Sequence, residues 1–195
     1  HDQTIPLGTL SQWGWHTWPN PNAWTIERFG FKPFATGGPM VGYADIPGER
    51  TPEINWLRAN PHRLHLGRIG FRLTRADGSA ATSADLTDIR QTLDLWNGTI
   101  ISHFRLDGEA VDVVTMCHPR LDAVGVRVVS TLLKTGRAKI DVRFPYGTGQ
   151  TAAADWSRPD GHQTVLTQPQ PNEARFVRTL DADTYYAAAR WWPAG

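Results

Sequence analysis

A chain of 195 residues with formal charge +1 is long enough to bury its own core. Its 40% hydrophobic and 20% charged residues are globular values that exclude an intrinsically disordered protein. No run approaches the roughly 18 apolar residues of a membrane span, and scattered arginines offset by 19 acids exclude the one-signed surface that nucleic acid demands.

The 18 glycines and 14 prolines exceed an average usage of about 12% for the two together. They demand many turns and speak against a helical bundle. The single cysteine, Cys117, excludes an internal disulfide and a cysteine-based zinc site. It leaves the compartment open, with a periplasmic or secreted location preferred to the cytoplasm. The chain starts at His1 rather than Met, the expected start of a processed product or an excised piece. Nine tryptophans are several times the ordinary share, and indoles are costly to leave in water. Either the core is unusually aromatic or some rings form a ligand surface.

Residues 1–62 read as a loop-rich aromatic arm, and 63–195 as an antiparallel β body that the arm packs on within one structural domain. In the arm, Trp18-Pro19-Asn20-Pro21-Asn22, Gly37-Gly38-Pro39 and Ile46-Pro47-Gly48 remove backbone donors and force their neighbours out of the helical region. They predict long ordered loops with few strands. No helical periodicity is visible anywhere in the chain. His62–Leu73 alternates as a strand whose apolar phase slips at Gly67-Arg68, which predicts a bulge or bend. Ser83–Ile89 is read as one short helical turn capped by Ser83. Thr99–Leu106 and Glu109–Cys117 flank Asp107-Gly108, the signal of a two-residue type I′ turn. That turn pairs Leu106 with Glu109, Phe104 with Val111 and Ser102 with Val113, and sets His103 against Asp112 on the other face. Ala123–Ser130, Lys139–Phe144, Glu173–Leu180 and Thr184–Trp192 complete the strands. The fold class is all-β, an antiparallel two-sheet β-sandwich with a loop-rich N-terminal arm.

The densest chemical feature is Gln12-Trp13-Gly14-Trp15-His16-Thr17-Trp18-Pro19-Asn20. In an extended segment Trp13 and Trp15 share a face, and Gly14 opposite permits close backbone approach. Indole faces stack on the C–H face of a pyranose, while His16 and Asn20 supply directional bonds to hydroxyls. Trp13, Trp15, His16, Trp18 and Asn20 are therefore the candidate carbohydrate contacts. The alternative is that the rings fill the gap between arm and sheet. His62 and His65, three apart on a strand, point to opposite faces and lack a third ligand, so no metal is expected. Glycoside hydrolysis needs two facing carboxylates; Glu53, Asp94, Asp112, Asp141 and Asp155 are the candidates, and no spacing singles out a pair.

Gln91-Thr92-Leu93-Asp94-Leu95-Trp96-Asn97-Gly98 opens the strand Thr99–Leu106, and Cys117-His118-Pro119-Arg120-Leu121-Asp122-Ala123-Val124 follows the hairpin. In that order they resemble the N-terminal β-domain of the six-hairpin glycosidases. That group comprises bacterial enzymes, among them disaccharide phosphorylases and α-fucosidase-type enzymes, whose catalytic part is an (α/α)6 barrel. Ser11–His16 and Asn60–Gly70 look like one uncharacterised bacterial branch, so the resemblance runs over nearly the whole chain. It implies a supersandwich of the galactose-mutarotase-like kind, docked on a helical barrel of the same polypeptide and lending loops to the rim of a sugar pocket. Related domains are longer, so strands are expected to be missing at both ends. The barrel is absent from these residues, so no catalytic residue carries over. The expectation is an accessory domain of a glycoside hydrolase, inactive alone, without cofactor or metal. Its partners are carbohydrate and the barrel. Other readings are a stand-alone carbohydrate-binding module, a sugar epimerase using His65 or His103 as acid with a carboxylate base, and a structural interaction domain.

Overall fold

The computed structural model describes residues 10–28, 31–43 and 51–192; Ile46-Pro47-Gly48 lies outside them. In chain order the elements are β1 (Leu10–His16), β2 (Lys32–Ala35), β3 (Met40–Tyr43), α1 (Pro52–Ala59), β4 (His62–His65), β5 (Arg68–Leu73), β6 (Leu86–Asp94) and β7 (Thr99–Leu106). There follow β8 (Glu109–Cys117), β9 (Val124–Val129), α2 (Thr131–Lys134), β10 (Ala138–Arg143), β11 (His162–Gln170), β12 (Glu173–Leu180) and β13 (Asp183–Arg190). The fold is all-β, antiparallel and sandwich-like, as the alternation predicts. The chain divides into two compact units, Ile69–Val142 and the segments on either side of it.

In the inner unit, β6-β7-β8-β9 form a meander. The β7–β8 register is the expected one, Leu106 opposite Glu109 and His103 opposite Asp112. Asp107 and Gly108 both take positive φ, 50° and 82°, which a type I′ turn requires and which follows the twist of its strands. One face of this sheet gives Leu106, Val111 and Val113 to a core closed by Phe71 and Leu73 of β5, Ala138 of β10 and Leu132 of α2. Each large side chain sealed there contributes about 1.5–3 kcal/mol. α2 begins at Ser130, whose Oγ accepts from Leu132 N at 3.2 Å. The turn expected near Ser83 is a 3-10 turn, Ser83–Asp85, and its cap is Thr82 rather than Ser83. Thr82 N and Oγ1 both donate to the Asp85 carboxylate at 2.8 Å, bonds that Ser83, with Leu86 three positions on, has no carboxylate to make.

In the outer unit, β11-β12-β13 form a second meander, while β1 pairs with β4 and β2 with β3. Leu180 and Tyr185 of the meander pack on Leu64 of β4, Tyr146, Phe144 and Trp18. The phase slip in His62–Leu73 marks the end of one strand and the start of another in a different sheet. Gly67 between them holds φ +125°, and a Cβ there would meet the Arg143 carbonyl at 2.8 Å.

The N-terminal stretch departs from expectation at Pro52–Ala59, an α-helix where loop was expected. Thr51 Oγ1 accepts from Ile54 N, Pro52 sits in the first turn with Glu53, and Arg58 sits in the last. These are helix start and stop signals. Eight residues are too short to show a periodicity, so the caps alone carried the information.

Candidate functional site

β1 alternates between two environments. Its inward positions, Gly14 and His16, are buried; its outward positions, Trp13 and Trp15, are 53% and 47% exposed. Gly14 is required on the inner side, since a Cβ there would lie 2.6 Å from Ser11 Oγ and 3.2 Å from Leu64. Ser11 Oγ in turn accepts from Gly14 N and donates to Gly14 O, closing a bulge in the β1–β4 register.

The inner face leads into a chain of polar groups. His62 Nδ1 lies 2.9 Å from the Ala59 carbonyl, His62 Nε2 lies 2.9 Å from His16 Nδ1, and His16 Nε2 lies 2.9 Å from Asp181 Oδ2. Tyr146 OH donates to the same carboxylate oxygen at 2.6 Å. His16 has no exposed surface, and Asp181, in the β12–β13 turn, keeps 24% of its side chain accessible. Gly147 makes room for the imidazole pair: a Cβ there would meet His16 Nδ1 at 2.5 Å and His62 Nε2 at 2.9 Å.

The donors in this chain can be assigned by elimination. The Ala59 carbonyl only accepts, so His62 Nδ1 carries a proton and its Nε2 accepts from His16 Nδ1–H. His16 Nε2 and Asp181 can then bond only if one more proton lies between them. With both imidazoles neutral and the carboxylate ionised, every choice of tautomers leaves one of the three 2.9 Å contacts with two lone pairs face to face. The filled chain therefore holds one proton beyond that state, and imidazolium and carboxylate together are electrically neutral. That is the cheapest way to bury them.

A second extra proton is equally unwelcome, because His62 Nε2–H would then face His16 Nδ1–H. Burial, and after it the positive His16, push the His62 pKa down against the pull of the Ala59 carbonyl and Asp183. Burial, reinforced by the Asp181 hydrogen bond and charge, pushes Tyr146 up to about 12, with Arg158 opposing. Tyr146 thus stays a donor.

Burial also lowers His65, aided by Arg68, and His162, aided by Arg178. A histidine whose folded pKa is depressed stabilises the fold fully above its unfolded value near 6.5 and loses that contribution as pH falls through the folded value. The loss of their contribution is therefore expected to lower the urea midpoint steadily as pH drops below about 6.5. A midpoint unchanged down to about pH 5 would show these imidazoles free to protonate in place.

The structure divides the five expected carbohydrate contacts. Trp13 and Trp15 face solvent, and Arg63, the cross-strand partner of Trp15, lays its guanidinium 5.3 Å from the Trp15 ring centroid. His16 belongs to the buried chain. Trp18 is half-buried, its N donating to Asn60 Oδ1 and its Nε1 to the Gly147 carbonyl. Asn20 is committed to its own loop, bonding both N and O of Trp24.

The candidate carboxylates are each held in a local role. Glu53 starts α1, Asp141 pairs with Arg72, Asp112 with His103, and Asp155 accepts from Ser157. Asp94 holds the β6–β7 turn by accepting from Trp96 N, Asn97 N and Asn97 Nδ2, and so projects Trp96 outward, 96% exposed. Of the histidines nominated as acids, His65 packs edge-on against Trp156, and His103 bonds Asp112 and Asp88 at the surface. Among the described residues no group of three or more His, Cys, Asp or Glu could hold a metal ion, and no helix is long and apolar enough to cross a membrane.

Asp181, Tyr146 and the pairing of His16 with His62 were invisible in the sequence. They lie on four segments that only the β1–β4 pairing and the β12–β13 turn bring together. No family model, curated protein or solved structure matches the chain.

Proposed function

We propose that this chain is an accessory carbohydrate-binding β-domain of a glycoside hydrolase of the six-hairpin kind, with the bond-breaking chemistry left to a helical (α/α)6 domain of the same polypeptide. One observation carries the saccharide part. Two indoles, Trp13 and Trp15, stand in solvent two positions apart on a strand whose inward positions are locked into the buried polar chain. Anchoring one side of β1 holds the other side rigid, so the rings present flat apolar faces at little cost in lost freedom. The sequence resemblance supports the association with a helical catalytic partner.

Titration with oligosaccharides is expected to change tryptophan fluorescence saturably, and Trp15→Ala is expected to weaken binding at least about tenfold. The isolated chain is expected to leave aryl glycosides intact. Failure of every saccharide tried, with the helical domain attached as well as without it, or robust hydrolysis by the chain alone, removes this reading. A stand-alone binding module uses the same two rings. Micromolar binding by the isolated chain favours that module, and binding only when the helical domain is attached favours the accessory arrangement.

A further inference from the structure

The charge around the exposed indoles narrows the ligand. Arg72, Arg75, Arg90, Arg105 and Arg137 of the inner unit and Arg175 and Arg190 of the outer unit each lie within ion-pair distance of a carboxylate. In the outer unit, Arg63, Arg68 and Arg158 instead lie over the rings of Trp15, Trp156 and Tyr146 at 5.3, 4.5 and 4.3 Å from the centroids. None of these three has a carboxylate within ion-pair distance among the described residues. Arg63 is exposed, spends one Nη1 bond on the Ser11 carbonyl at 3.2 Å, and makes no other hydrogen bond among the described residues. A guanidinium resting near an indole face loses freedom while its N–H donors stay available at its own edge.

We infer that the Trp13–Trp15–Arg63 surface takes an anionic saccharide, a uronate-containing glycan whose sugar ring stacks on the indole while its carboxylate receives the Arg63 fork. This rests on the saccharide reading above and adds the charge of the sugar. A neutral hydroxyl would take one bond from the guanidinium. A carboxylate takes two parallel bonds and neutralises a charge that no carboxylate pairs with among the described residues. Stacking and charge together demand a ligand with an apolar face and an acid group a bond or two away, which a pyranose uronate has.

The test compares oligogalacturonate with a neutral oligosaccharide of equal length, both titrated into the 195-residue chain at low salt. The expected result is about tenfold tighter binding of the uronate, a preference that shrinks toward 1 M NaCl as the charges are screened. Arg63→Gln should abolish the preference, and Arg63→Lys, which keeps the charge without the fork, should restore part of it. An unchanged near-ultraviolet circular dichroism spectrum shows that each variant is folded. Equal affinity for the two glycans, or a preference that survives Arg63→Gln, overturns the inference and leaves saccharide binding standing. Competition by an oligoglutamate peptide as strong as that of the uronate also overturns it, by reducing the effect to charge attraction. Absence of binding to either glycan overturns the inference.

Discussion

Asp181→Ala is expected to destabilise the protein by about 3–5 kcal/mol, the cost of leaving one member of a buried ion pair without its partner. Asp181 is the acceptor end of the polar chain, the one group that gives the proton on His16 a counter-charge at 2.9 Å. Without it, His16 must shed that proton in the interior or stay charged with no exposed surface. Tyr146 OH loses its acceptor in the same step. Asp181→Asn keeps the shape and an acceptor oxygen but no charge, so it should cost nearly as much at neutral pH, which separates charge from packing. Urea denaturation measures both. For a chain of this length the loss corresponds to a fall in melting temperature of about 10 °C. Loss of less than about 1 kcal/mol in both variants would mean that the chain of contacts does not bear on folding.

Arg178→Ala should cost about 4 kcal/mol by a different route. Arg178 is fully buried, and its Nη1 donates to the Gln163 carbonyl at 2.8 Å and to Thr164 Oγ1, its Nη2 to the Pro145 carbonyl at 3.3 Å. It lies 4.8 Å over the Phe144 ring, opposite Tyr185 in the β12–β13 register. No carboxylate pairs with it among the described residues, so carbonyl oxygens and ring faces hold the charge. A guanidinium does not shed its proton to escape burial. Truncation opens a cavity and strands three acceptors at once. Arg178→Met refills most of the volume without donors. If it restores stability to within about 1 kcal/mol of wild type, packing rather than hydrogen bonding is what Arg178 supplies. Arg178→Lys should fall between the two, as a point charge with three donors reaches some of the same oxygens.

The legible parts of this protein were those where two local signals agreed. Asp107-Gly108 announced a turn and the alternation of Thr99–Leu106 and Glu109–Cys117 announced its strands; because side chains repeat every two residues, the turn also decided the register, and His103 met Asp112 as expected. The outward pair Trp13 and Trp15 with Gly14 between them followed from the same periodicity. The helix Pro52–Ala59 was missed because eight residues are too few for an apolar stripe, although Thr51 and Pro52 marked its start.

The candidate carbohydrate contacts were only half legible. Proximity in sequence grouped Trp13, Trp15, His16, Trp18 and Asn20, while the pleat of β1 turned His16 away from the indoles and the loop beyond it used Asn20 for its own closure. Arg63 was unremarkable as a letter and became a ligand candidate once β1 and β4 paired in register.

Local chemistry in the amino-acid order was thus enough for the all-β class, the tight hairpin with its two strands, and the shared face of Trp13 and Trp15, because each depends on neighbours within a few positions. The polar line through His62, His16, Asp181 and Tyr146, and the placement of Arg63 over Trp15, came only with tertiary structure. Their members are separated by as many as 165 positions, and no short-range periodicity encodes which distant polar groups must share a proton.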